Sequence, residues 1–241
     1  MIEKRSGGAR ARLLTMLLLA GLSGPALAQW GGSAGLGLVV AAGNAQSQSV
    51  NGTANLARQV GQWKHHLSAD VHRAKEGGIE SADRLQLGYK ADMTLTERLY
   101  GWGSMRYESD RFADIDRRLA GLAGVGLHTL RGPAHWLDLE AGRGYRRTTF
   151  ASAMPDSHEA VGTLAANYEY RFNPTTSLTE RLSVEAGQDN TLLAAITGLK
   201  VKMSDRLSLS LTYAVRRNSD FRGALGDKSD MLTTLNVVYG F

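Results

Sequence analysis

Between positions 206 and 216 the chain reads RLSLSLTYAVR, with Leu207, Leu209, Leu211, Tyr213 and Val215 on one parity and Arg206, Ser208, Ser210, Thr212, Ala214 and Arg216 on the other. A two-residue period describes a β-strand with one apolar and one polar face. The same alternation sets Leu85, Leu87 and Tyr89 against Arg84, Gln86 and Lys90, and Leu164, Ala166, Tyr168 and Tyr170 against Thr163, Asn167, Glu169 and Arg171. No stretch of comparable length has helical spacing, so the chain reads as all-β.

Twelve segments of this kind follow one another, near 34–43, 49–59, 62–73, 82–92, 97–107, 116–128, 134–147, 159–172, 176–187, 191–202, 205–217 and 230–241. Each is close to the roughly nine to eleven residues with which a tilted strand crosses a bilayer. Their connections alternate in length. Those at 60–62, 92–96, 129–133, 173–175 and 203–205 are short, whereas those near 74–81, 108–115, 148–158 and 217–229 are longer and rich in Gly, Asp, Ser and charge. Outer-membrane barrels have this asymmetry, with the short turns in the periplasm. A mean hydropathy of −0.23 does not oppose it, because strands that put every second side chain into lipid average to a polar composition. In hydrocarbon every backbone N–H and C=O needs a partner, so strands can cross only as a closed sheet. The predicted fold is a transmembrane antiparallel β-barrel of about twelve strands.

The phrase LTERL occurs at 95–99 and again at 178–182, with a relative, MSDRL, at 203–207. Each is expected on a periplasmic turn entering an upward strand, with the Thr or Ser hydroxyl and the acid capping turn N–H groups. Strict alternation puts Glu97 and Glu180 on the apolar parity, so both are expected at or below the membrane interface.

At the start, Lys4, Arg5, Arg10 and Arg12 precede an apolar run and the small-residue pattern Ala26-Leu27-Ala28. A cleavable signal peptide is therefore expected over residues 1–28, too short in its apolar core to span a bilayer, with 29–241 expected as the barrel domain and Gln29 as its first residue. Losing four basic groups and Glu3 lowers the formal charge from +5 to +2, which gives no ground for a nucleic-acid partner. There is no cysteine, which excludes disulfides and thiolate metal sites. Export without disulfides suits the Gram-negative outer membrane.

The segment LTTLNVVYGF puts Leu235, Val237, Tyr239 and Phe241 on one face. This pattern resembles the signal that barrel-assembly machinery recognises. That machinery and periplasmic chaperones are expected partners during biogenesis, with outer-membrane lipid and lipopolysaccharide thereafter. Trp63, Tyr89, Trp136, Tyr170, Phe172, Tyr239 and Phe241 fall toward the periplasmic ends and Tyr107, Tyr145 and Tyr213 toward the other rim, the levels at which amphipathic rings gather.

The polar parity carries Lys64, His66, Asp70, Arg84, Lys90, Arg106, Arg118, Asp138, Glu140, Arg146, Glu169, Arg171, Arg181, Glu185, Lys200, Lys202, Arg206 and Arg216. These are expected to line the lumen, either as ion pairs that stiffen the barrel or as the wall of a narrow pore. Basic residues outnumber acids among them, so an open pore should mildly favour anions.

GYK at 88–90, ERLYGWGSMRYESDRF at 97–112, GRGYRR at 142–147, DRLSLSLTYAVRRNSD at 205–220 and the terminal LTTLNVVYGF together resemble the family of salt-induced outer-membrane proteins, whose domain has no assigned function. The resemblance runs from about Gly35 to Phe241 and implies an outer-membrane location and a barrel; it carries over no active site. The chain departs from the family in its first hairpin, where Gly43-Asn44-Ala45-Gln46 replaces a Gly-Asn-Thr loop.

Chemistry is sparse. Asp156, Ser157, His158 and Glu159 are the residue types of a nucleophile, base and acid, and suggest a rim hydrolase as the alternative function, although neighbours in a loop seldom face one another. His65 and His66 are consecutive and must face opposite sides of a strand, so no shared metal ligation follows. Gly121, Gly124, Gly126, Gly35 and Gly37 are expected to relieve crowding or allow bending in a curved sheet. No cofactor is implied. The expected function is a structural envelope barrel or a narrow solute or ion channel with a mixed-charge lumen.

Overall fold

A computed structural model describes residues 30–41, 47–219 and 229–241. The segment 1–28, Gln29 and the first hairpin tip at 43–46 lie outside the described residues. Among those described, every regular element is a strand: β1 Gly31–Ala41, β2 Ser47–Val60, β3 Trp63–Glu76, β4 Ile79–Thr94, β5 Leu99–Asp110, β6 Ile115–Arg131, β7 His135–Phe150, β8 Ser157–Asn173, β9 Thr176–Gly187, β10 Thr191–Lys202, β11 Leu207–Asn218 and β12 Ser229–Gly240. Each pairs antiparallel with its chain neighbours, and β1 pairs with β12 to close the ring. The seam has the shortest register, from Ser33↔Gly240 to Leu36↔Val237. It is extended by reciprocal hydrogen bonds between Gly32 and Phe241, with N···O distances of 2.9 and 3.0 Å.

The strands run past the apolar alternation that marks them in the sequence. The loop expected at 74–81 shrinks to Gly77-Gly78, both at positive φ (57° and 82°), a two-residue turn that glycine adopts without strain. Those expected at 108–115 and 148–158 shrink to 111–114 and 151–156. The reason is that pairing continues above the hydrocarbon. There the outward face meets water and polar headgroups, so the in/out contrast fades while the backbone ladder does not. Register shifts gather at the rims, between Ala74 and Lys75, Glu108 and Asp110, Ile115 and Arg117, His128 and Leu130, and Arg171 and Asn173, where bulges end or re-aim a ladder.

The repeated phrase does not always make a turn. At 95–98 the Thr96 hydroxyl accepts from Arg98 N (3.3 Å) and Leu99 N (2.9 Å), and at 203–206 Ser204 Oγ accepts from Leu207 N (3.1 Å). The 178–182 copy instead lies wholly within β9. Its turn comes earlier, at Pro174-Thr175, because Asn173 Oδ1 accepts from the N–H groups of Thr175 (2.9 Å) and Thr176 (2.8 Å), while Pro174 cannot continue a ladder. Glu180 therefore stands on the outer face of β9, where it accepts a hydrogen bond from Thr197 (2.6 Å).

Candidate functional site

The barrel separates its two parities. Leu36, Val50, Leu139, Leu164, Leu211 and Val237 stand exposed on the outside, whereas Arg146 is 1% exposed, Glu159 4% and Glu108 7%. The conventional apolar core is inverted: the inside holds charge, and the apolar residues face outward as a lipid-contacting surface.

The upper half of the interior holds two neighbouring clusters of ion pairs and hydrogen bonds. Glu108 of β5 receives Arg84 of β4 and, at 3.4 Å, Arg118 of β6. Arg84 also approaches Asp110 (3.9 Å), and Arg118 donates to Thr148 (3.2 Å). Arg106 of β5 reaches Glu185 of β9 at 2.5 Å. Arg146 of β7 donates Nε and Nη2 to Glu159 (3.0 and 2.7 Å) and Nη2 to the carbonyl of Asn190 (2.6 Å), and lies 3.5 Å from Glu185. Glu159 is further satisfied by the N–H groups of Asp189 (2.9 Å) and Asn190 (3.3 Å). Arg216 of β11 donates to Gln86 of β4 (3.2 Å) and stands 3.8 Å from Glu108. β5 and β11 are diametrically opposed in the ring of twelve, so this last contact crosses the bore.

A second layer lies toward the periplasmic end. The rings of Tyr100 and Trp102, 4% and 8% exposed, project inward from β5. Lys90 Nζ stands 5.7 and 5.6 Å from their centroids and pairs with Glu140 of β7, which also accepts from Tyr100 OH (2.7 Å). Trp102 Nε1 donates to the carbonyl of Val125 (3.1 Å). Gly126 and Gly142 leave the floor on which the rings lie: a Cβ would come within 2.1 Å of Tyr100 at Gly126 and 2.6 Å of Trp102 at Gly142. His128 stacks on Tyr100 (4.6 Å) and meets Asp138 (2.8 Å), which Arg131 also approaches (3.2 Å). Sequence reasoning missed Tyr100 and Trp102 as interior residues although their parity with Arg106 and Glu108 places them there. Gly124, Gly126, Gly35 and Gly37 do relieve crowding, but Gly121 faces out with open space around it.

The other expected lumen residues are dispersed. His66 lies 3.6 Å from Asp92 at the periplasmic end. Arg181 donates to Asn167 (2.8 Å), and Arg171 to Glu169 (2.9 Å). Arg171 also lies 3.8 Å over the ring of Trp136, which shares the parity of Asp138 and so belongs to the periplasmic mouth, not to the outer girdle. The side chains of Asp70, Lys64, Lys200 and Lys202 make no hydrogen bond or ion pair among the described residues. Arg206 departs from expectation: it lies in the turn before β11 and donates to Tyr239 OH (3.2 Å) on the outer face. Leu235, Val237, Tyr239 and Phe241 all project outward, each at least 42% exposed.

The hydrolase candidates are not brought together. Asp156 pairs with Arg147 (2.8 Å), Ser157 donates to Asp189 (2.8 Å), His158 turns outward against Tyr145, and Glu159 is buried on Arg146. The hydrogen bond from Arg147 holds the Asp156 carboxyl below the usual carboxylate range. His65 faces outward and meets Tyr89 OH (2.9 Å), opposite to His66. With Trp63, His65 and Tyr89 form one stacked strip of the outer girdle; in a second, His135 stacks on Tyr170, which meets Phe172 edge to face. Arg143 is also exposed on the outer face, between Ala141 and Tyr145 along β7. Such a charge costs about 2–4 kcal/mol at the bilayer midplane and about 0–1 near an interface.

A closed antiparallel ring with an apolar outer surface and a charged interior defines the class: a transmembrane β-barrel of the outer-membrane type. Within that class, residues 34–241 match the family described as "Protein of unknown function, DUF481", and the chain belongs to that family. It is 23% identical over 213 residues to the uncharacterized protein YdiY of Escherichia coli (strain K12), covering 86% of this chain and 82% of the relative. Its fold is similar to an outer-membrane channel from Pseudomonas putida F1 (TM-score 0.54, 12% identity, 88% of this chain and 95% of the other). It is also similar to the KdgM porin (TM-score 0.51, 10% identity, 88% and 99%).

Proposed function

We propose that the protein is a narrow ion and small-solute channel of the outer membrane whose constriction is the charged network of the upper lumen. The observation that carries this reading is the approach of Arg216 to Glu108 across the full width of the barrel at 3.8 Å. A barrel filled only for stability would gain more from apolar packing, since ionised groups lose hydration when enclosed and their mutual attraction often fails to outweigh that loss. Charge spanning a bore suits a layer that passes small hydrated ions and excludes bulk. Among the described residues the layer holds five guanidinium groups (Arg84, Arg106, Arg118, Arg146, Arg216) against four carboxylates (Glu108, Asp110, Glu159, Glu185), a surplus of one positive charge that favours anions.

The test is planar-bilayer conductance of the refolded chain and of Arg216→Ala. Small discrete steps that grow several-fold when the crossing side chain is shortened are expected. A folded protein silent in both forms would remove the channel and leave a structural envelope barrel.

A further inference from the structure

The outer face of β6 to β9 has a shallow apolar groove of about 510 Å³, lined by Val125, Leu139, Ala141, Leu164, Ala166 and Val184 among others. Small Ala141 and Ala166 between larger aliphatic side chains make it concave. The next outward residue of β7 beyond Ala141 is Arg143, whose cross-strand neighbours are Ala123 on β6 and Gly162 on β8. Arg143 is exposed, and its side chain makes no hydrogen bond or ion pair among the described residues. Arg147, the next arginine along that face, is held by Asp156. The space around Arg143 is open: a Cβ at Gly162 or at the outward-facing Gly121 would meet nothing within 4 Å. Tyr145, 53% exposed, stands on its extracellular side, where an amphipathic ring favours the headgroup level.

We infer that this groove and Arg143 form a seat for the lipid A part of lipopolysaccharide, with an acyl chain along the groove and a phosphate accepting from the guanidinium. The inference rests on the outer-membrane reading and on short turns facing the periplasm. Arg143 lies eight residues beyond His135 in the periplasmic girdle, about 20 Å higher at roughly 3.3 Å per residue and a tilt near 40°. In an apolar band about 25 Å tall this is the outer leaflet, where lipopolysaccharide replaces glycerophospholipid. A guanidinium at that depth is unfavourable in hydrocarbon alone and favourable against a phosphate, which its planar fork can engage with two N–H groups. The outer wall thus offers charge and apolar shape in the order in which lipid A presents phosphate and acyl chain.

The test uses the refolded full chain in detergent, its folding checked by heat-modifiable gel mobility, and titrates bisphosphorylated lipid A, lipid A lacking phosphates, and phosphatidylglycerol by native mass spectrometry. Arg143→Gln should weaken retention of bisphosphorylated lipid A about tenfold, as expected for loss of one charge-assisted contact. Ala141→Trp, which fills the groove and keeps the charge, should also release it, while Arg143→Lys should retain part of the binding. Equal retention by the wild type and Arg143→Gln would overturn the proposal. So would equal binding of lipid A without phosphates, or phosphatidylglycerol held as tightly as lipid A. A chain that shows no heat-modifiable barrel would instead defeat the membrane-barrel reading, and this site with it.

Discussion

Arg146 is the most enclosed charge among the described residues, and Arg146→Ala isolates what its ion pairs contribute. The side chain is 1% exposed and serves Glu159, Glu185 and the carbonyl of Asn190. Removing one partner of a buried ion pair typically costs about 3–5 kcal/mol, because the remaining charge is left enclosed without compensation. Here the lower end applies, about 3 kcal/mol. Glu159 keeps two backbone N–H donors at 2.9 and 3.3 Å, and Glu185 keeps Arg106 at 2.5 Å. The vacated space is polar and able to admit water, which limits the loss further. Reversible urea unfolding in lipid vesicles, followed by tryptophan fluorescence, gives the free energy. Glu159→Ala should cost a similar amount, and the double variant should cost at least about 1 kcal/mol less than the two single effects together, since the second removal deletes a charge the first had stranded. As a contrast, Arg73→Ala at the exposed pair with Asp83 should change stability by about 0–1 kcal/mol. An Arg146→Ala effect below about 1 kcal/mol, or strict additivity in the double variant, would refute the view that this pair is a coupled, desolvated unit.

Lys200→Glu with Lys202→Glu should move ion selectivity from anions toward cations, read as the sign of the reversal potential in a salt gradient; an unchanged sign would place both lysines outside the conduction path. Gly124→Ala should destabilise the barrel by about 1–3 kcal/mol in the same unfolding assay, because the new Cβ would fall 2.1 Å from the backbone oxygen of Ala141. The Arg147 contact depresses the Asp156 carboxyl, so its contribution is complete above the ordinary aspartate range and is lost as pH falls through the depressed folded value. Proteolysis of the 151–156 loop should accelerate only below that range, and Asp156→Asn should abolish this acid step.

Much of the architecture is a local property and was legible in the residues. Alternation tells which side chains share a face, and from RLSLSLTYAVR alone Ser208, Ser210 and Arg216 are assigned to one side and Leu207, Leu209 and Leu211 to the other. Breaks in alternation place twelve strands, and those at 176–187 and 191–202 agree with the structure to the residue. Parity, however, says nothing about position around the ring. That Arg216 meets Glu108, or Arg106 meets Glu185, depends on closure between β1 and β12 and on the accumulated register of all twelve pairings. The same limit explains why Arg206 could be assigned a parity yet turn out to reach Tyr239 from a turn, and why one LTERL bends while the other runs straight. A pentapeptide's conformation yields to its neighbours, here Asn173 and Pro174. Strands, their faces and a count of about twelve can be read along the chain, because a two-residue period is imposed by lipid on one side and polar interior on the other. Which charges neutralise one another and where the bore is crossed emerge with the folded ring, because those depend on distances set by its closure and not by any stretch of chain.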